Sequence, residues 1–132
     1  MAGVQDLPID QGETFRWAFV FATRPDVEGD PWVPVDLTGC TARMQVREKY
    51  GATVLATATT ENGGIVLGGT NGRVEVVLTA EQTDEMGVKE GSSRPREAAA
   101  YDIELVFPSG DVKRLIQGAV SINPNITRTV TV

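Results

Sequence analysis

Tyr101-Asp102-Ile103-Glu104-Leu105-Val106-Phe107, then Pro108-Ser109-Gly110-Asp111, then Val112-Lys113-Arg114-Leu115-Ile116-Gln117-Gly118-Ala119-Val120-Ser121-Ile122 is the stretch that decides the fold. Its first part alternates. Tyr101, Ile103, Leu105 and Phe107 share one face, and Asp102, Glu104 and Val106 the other, which is the period of a half-buried strand. Pro-Ser-Gly-Asp is turn chemistry, and a second apolar run follows, so the stretch reads as a β-hairpin over about residues 99 to 122. The apolar period slips near Leu115-Ile116, which predicts a bulge.

Working back along the chain gives more of the same pattern. Thr14 to Phe21 places Phe15, Trp17, Phe19 and Phe21 on one face, half of the chain's aromatic residues, and predicts a strand central to the core. Ala22 to Leu37 is a loop with Pro25, Pro31 and Pro34, closed by the turn Asp36-Leu37-Thr38-Gly39. Ala42, Met44 and Val46 then alternate with Arg43, Gln45 and Arg47. After a turn at Tyr50-Gly51, Thr53 to Thr60 has the composition of a solvated edge strand. Asn62-Gly63-Gly64 and Gly68-Gly69-Thr70-Asn71-Gly72 are turns on either side of a short strand, Ile65 to Leu67. Arg73 to Leu78 points Val74, Val76 and Leu78 inward. Thr79-Ala80-Glu81-Gln82 is a capping box that predicts helix over Ala80 to Met86. Gly87 to Glu97 reads as a mobile polar loop, and residues 1 to 11 as a short polar lead-in. Ile126 to Val132 alternates again after Asn123-Pro124-Asn125. The whole, residues 1 to 132, is expected to be one all-β domain, an immunoglobulin-like antiparallel sandwich of about seven strands with one short helix.

Chemistry is conspicuous by what is missing. The sequence contains no histidine, which removes Ser-His-Asp and Cys-His catalysis and every histidine-metal site. Cys40 is the one cysteine, unable to form an intrachain disulfide or a zinc site alone, and is expected to be a small buried side chain. Asp26, Glu28 and Asp30 have the alternate spacing of a calcium loop, but the sixth and twelfth positions are Pro31 and Leu37 rather than Gly and Glu. The glycines between 63 and 72 lack the Gly-Lys pair of a phosphate loop. Asp102 and Glu104 project from the same strand face and are expected to pair with a cross-strand cation, Lys113 being a candidate. Net charge is −6, with only three lysines, which argues against nucleic acid as a partner. No apolar run approaches the roughly 20 residues of a membrane span, and the first ten residues have no signal-peptide pattern. The expectation is a non-enzymatic interaction module made in a cytoplasm, without cofactor, metal, nucleic acid or membrane partner.

Several segments together resemble small tail and baseplate proteins of tailed bacteriophages, most closely the N-terminal immunoglobulin-like domain of siphophage baseplate upper proteins. They are Gln11-Gly12-Glu13-Thr14-Phe15, Val35-Asp36-Leu37-Thr38-Gly39, Ala42 to Arg47, Gly72 to Val76, Leu78 to Thr83, Tyr101 to Leu105 with Gly118-Ala119-Val120, and Pro124 to Arg128. Family members often continue into a coiled stem or a receptor-binding region where this sequence ends, at Val132, and Cys40 stands where a larger apolar or aromatic residue is expected. The resemblance implies a virion protein made in the bacterial host cytoplasm and present in multiple copies, a tail or baseplate adaptor that docks fibres or other phage structural proteins. The alternatives are a head-decoration or head-fibre protein and a host-glycan binding module. Candidate partner-binding residues are Trp32 and Tyr50 as loop aromatics, Arg94 and Arg96 in the polar loop, and Ile126, Arg128, Val130 and Val132 in the C-terminal segment. That segment is expected to pair with a neighbour's sheet edge.

Overall fold

The computed structural model describes residues 3–48, 53–86 and 99–123. Its strands are β1 (Gly3–Val4), β2 (Leu7–Asp10), β3 (Phe15–Val20), β4 (Ala22–Thr23), β5 (Val33–Pro34), β6 (Thr41–Glu48), β7 (Val54–Thr59), β8 (Ile65–Leu67), β9 (Arg73–Leu78), β10 (Ala99–Val106) and β11 (Val112–Asn123). A helix, α1 (Ala80–Met86), follows β9. The larger sheet runs β1-β11-β10-β6-β7, with β2 also on β11; the smaller is β3-β9-β8; β4 and β5 form a separate ribbon.

The hairpin forms as its sequence dictates. β10 and β11 pair antiparallel, from Ala99 opposite Val120 to Val106 opposite Val112, and the register shifts between Ile103 and Glu104. Ile103 faces Ile116 and Glu104 faces Arg114, so Leu115 is the extra residue of the bulge. Gly110 closes the turn at φ +92°, and its N–H donates to the Phe107 carbonyl. Along β10 every second residue is buried, with Ile103 and Leu105 fully so. The inward residues of β6 (Ala42, Met44, Val46) and β9 (Val74, Val76, Leu78) complete the core between the two sheets. β7 lies at the edge of the larger sheet, as its Thr-rich composition predicts. The capping box is reciprocal: the Gln82 N–H donates to Thr79 Oγ1 (3.1 Å) and the Thr79 N–H to Gln82 Oε1 (2.9 Å).

The strand order is that of an immunoglobulin-like sandwich. β3, β9 and β8 take the places of strands B, E and D, and β6, β10 and β11 those of C, F and G. One element is displaced. The expected lead-in is structured from Gly3 to Asp10, because β1 and β2 both pair parallel with β11 and bury Leu7 and Ile9. The A-type strand therefore lies on G rather than on B. The backbone crosses over Gly118 to do so: a Cβ there would sit 2.2 Å from the Gln5 carbonyl oxygen. The Gln5 N–H donates to Gln117 O (2.9 Å), the Tyr101 hydroxyl to Gln5 O, and the Ala119 N–H to Asp6 Oδ1 (3.0 Å).

This displacement overturns the expectation that the aromatic strand is central. Among the described residues β3 pairs only with β9, so it is an edge strand, and Phe15, Trp17 and Phe19 are half-buried. Their rings still point between the sheets. Trp17 meets Tyr101 of the opposite sheet edge-on at 6.3 Å, and its ring lies 4.8 Å from that of Phe19. Period alone identifies the inward face of a strand; whether that face ends at a sheet's middle or its rim depends on which strands flank it.

Candidate functional site

Three connections meet at one end of the sandwich. The first is the long B–C connection, which leaves β3, forms the β4–β5 ribbon and ends in the Asp36–Gly39 turn. The second is the turn between β8 and β9, residues 68–72, which contains a 3-10 turn over Gly69–Asn71. The third is the hairpin turn between β10 and β11. Backbone hydrogen bonds tie the first two together, Phe21 N–H to Gly72 O (2.7 Å) and Leu37 N–H to Gly69 O (2.9 Å), while Val35 N–H to Phe21 O (2.9 Å) closes the first on itself. Gly72 makes that junction possible. It sits at φ +71°, and a Cβ on it would lie 2.5 Å from Phe21 O and 3.2 Å from Val35 N. The third connection joins through side chains, with the Lys113 ammonium 5.5 Å from the Phe21 ring centroid and Pro108 against Gly39.

Within the Asp36–Gly39 turn, Asp36 Oδ1 accepts from the Thr38 hydroxyl (2.6 Å) and the Thr38 N–H (2.9 Å). Those two bonds hold the Asp36 carboxyl below its ordinary pKa. Cys40, which follows, is half-buried rather than buried. Loss of hydration and then the Asp36 charge push its thiol pKa up.

Trp32 is the described member of the candidate set. It immediately precedes β5, 58% exposed, with the Arg24 guanidinium 5.8 Å from its ring centroid. Arg24, Trp32 and the carboxylates of Asp26, Glu28 and Asp30 line a shallow cleft. Val27 and Val33 on the same connection are 61% and 52% exposed. Val20, which leads into it, and Val112, which leaves the hairpin turn, are exposed too. Of the eight large apolar side chains exposed among the described residues, these five belong to the loop end and its strand ends. Sequence reading found Trp32 but not the valines, because an exposed valine and a buried one look alike until the fold is known. Tyr50, Arg94, Arg96, Ile126, Arg128, Val130 and Val132 lie outside the described residues, as do the 87–97 loop and the C-terminal segment.

The outer face of the larger sheet is a paired polar surface. Arg114 binds Asp102 at 3.2 Å and Arg43 binds Glu104 at 3.2 Å. The expected partner, Lys113, is not the one used, because the bulge at Leu115 sets Arg114 beside this face while Lys113 leans over Phe21. These solvent-exposed ion pairs form a polar ladder across the sheet. No group of three or more His, Cys, Asp or Glu side chains positioned to hold a metal ion occurs among the described residues.

A family model described as "LtfC-like, beta-sandwich domain" matches residues 2–123. The chain belongs to this family of LtfC-like β-sandwich domains. The family is phage-associated and tail-fibre-like, and membership supports a phage β-sandwich protein. No curated protein matches the chain. Similar solved structures include a chicken TCR, at 12% identity and a TM-score of 0.45, over 96% of this chain and 57% of that one. Domains 3–5 of the extracellular region of Drosophila OTK match at 15% identity and a TM-score of 0.34, over 89% and 32% of the two chains. The LtfC-like chain thus spans less than two thirds of either structure, and its immunoglobulin-like character rests on its own strand order.

Proposed function

We propose that this LtfC-like protein is a non-catalytic structural component of a tailed-phage virion, a tail or baseplate adaptor that docks fibres or other tail proteins. It is made in the host cytoplasm and assembles in several copies. The observation that carries the reading is the loop end, where exposed Val27, Trp32 and Val33 on a connection braced by Gly72 and the Asp36–Gly39 turn are joined by Val20 and Val112 at the strand ends. A rigid sandwich that presents apolar side chains from braced loops is suited to permanent contact with another protein, since little ordering entropy remains to be lost on docking. The baseplate upper proteins, which the sequence resembles, set the finer expectation of where in the virion that contact is made.

The test is size-exclusion chromatography with light scattering, on the purified protein alone and mixed with extract from cells producing the neighbouring structural genes. A defined complex with a tail protein is expected, weakened about tenfold or more by Trp32→Ala, the usual effect of removing a central aromatic anchor. Co-elution with a head protein instead would move the protein to head decoration. A second reading has its own observation: Trp32 beside three carboxylates and an arginine is also the furniture of a sugar site. Glycan binding that Trp32→Ala abolishes, with no structural protein captured, would replace the adaptor reading by a host-glycan module.

A further inference from the structure

We infer that the outer edge of β3 is an interface between two copies of this chain, which pair β3 to β3 antiparallel about a two-fold axis through Trp17. The inference is independent of the adaptor reading.

Among the described residues that edge carries no strand, because β1 and β2 lie on β11, where an immunoglobulin constant-type sandwich would set its first strand on B. The hydrogen-bonding parity of β3 shows which groups are left over. Phe21 N–H bonds Gly72 O in register with the β3–β9 ladder, so Phe15, Trp17 and Phe19 bond to β9. Arg16, Ala18 and Val20 therefore aim their N–H and C=O groups away from β9, and no partner for them occurs among the described residues. Their side chains are exposed on the outer face, while the half-buried aromatic rings line the inner one. An edge strand normally carries a charge, a proline or a bulge that blocks pairing; this one has a single charge, Arg16, and neither of the others.

Arg16 selects both the occupant and the register. Pairing centred on Arg16 would oppose two arginines. Pairing centred on Ala18 would set Arg16 of one copy opposite Val20 of the other, whose neighbour on β9 is Arg73. Pairing centred on Trp17 sets Arg16 opposite Ala18, whose neighbour on β9 is Glu75. There the long arginine side chain crosses the small Ala18 to reach a carboxylate, twice over by symmetry. Glu75 already receives Arg73 on Oε2 at 3.0 Å and retains a second oxygen. Arg16 has no ion-pair partner within its own chain among the described residues. In the same register Trp17 meets Trp17 and Phe15 meets Phe19 of the other copy, covering the half-exposed aromatic row. Two three-stranded sheets become one sheet of six, with the order β8-β9-β3-β3-β9-β8.

Sedimentation of the full-length protein over a concentration series tests this. A closed dimer is expected. Arg16→Glu opposes Glu75, and Ala18→Lys opposes Arg16; each should weaken the dimer at least about tenfold with thermal unfolding of the monomer retained. Exchange of the charges in Arg16→Glu with Glu75→Arg should restore it. A monomer at every concentration overturns the inference, as does a dimer indifferent to both single substitutions. A dimer that survives Arg16→Glu but is lost when residues 126–132 are deleted also overturns it, in favour of tail exchange between copies.

Discussion

Thr83 is the residue whose replacement tests most directly how the helix and the aromatic strand are joined. It is fully buried, although threonine in a short helix beside Glu81, Gln82 and Asp84 reads as a surface residue. Its hydroxyl accepts from the Gly12 N–H (3.1 Å) and donates to the Glu13 carbonyl (2.8 Å), with the Ala80 carbonyl 3.1 Å away. One side chain thus satisfies both backbone groups of the turn from β2 into β3. Thr83→Val keeps the shape and removes both bonds. The Gly12 N–H is then left near a methyl group, at about 1–3 kcal/mol, and the lost donation to Glu13 adds about 1 kcal/mol. A total near 3 kcal/mol corresponds to a fall in Tm of about 10 °C for a chain of 132 residues. Thr83→Ser keeps the hydroxyl and deletes one methyl, at about 1 kcal/mol. Urea unfolding of the three proteins at equal m-value is the assay. The reasoning is refuted if Thr83→Val lies within about 0.5 kcal/mol of the parent, or if Thr83→Ser is the more damaging of the two.

Other outcomes follow from the same packing. Gly118→Ala puts a Cβ into the Gln5 carbonyl, so β1 must lift from β11; a cost of about 1–3 kcal/mol is expected, with hydrogen-exchange protection lost at the Gln5 amide and kept in β6 and β10. Burial, and then the Asp6 charge, push the Tyr101 hydroxyl from 10.0 up to about 12. The neutral phenol is the form the fold prefers, so its contribution is intact below pH 10 and is lost as pH rises from 10 towards 12. Tm measured across that window should decline, and Tyr101→Phe, already less stable at neutral pH, should decline less. Arg43→Ala and Arg114→Ala break solvent-exposed ion pairs and should each change stability by less than about 1 kcal/mol, a difference that added salt erases.

The elements that sequence reading located best are those whose signal is local. The capping box at Thr79 and Gln82, the bulge at Leu115 and the alternation of β6, β9 and β10 each depend on residues a few positions apart, and each appears in the structure at the expected place. The first eleven residues misled because proline and two aspartates mask the alternation of Leu7 and Ile9. Their strand character comes from a partner more than a hundred residues away in β11. The candidate site was legible only in part: an exposed tryptophan between prolines is visible as a loop aromatic, whereas the valines that join it at the loop end are not.

By itself, then, the sequence determined an antiparallel β-sandwich without a histidine-based site, because strand period, turn residues and the absence of histidine are properties of short segments and of composition. Only the tertiary structure decided that the aromatic strand is a rim and not a centre. The placement of β1 and β2 against β11 depends on pairing across more than a hundred residues and on the close approach of Gln5 over Gly118, neither of which the period of a single strand reveals.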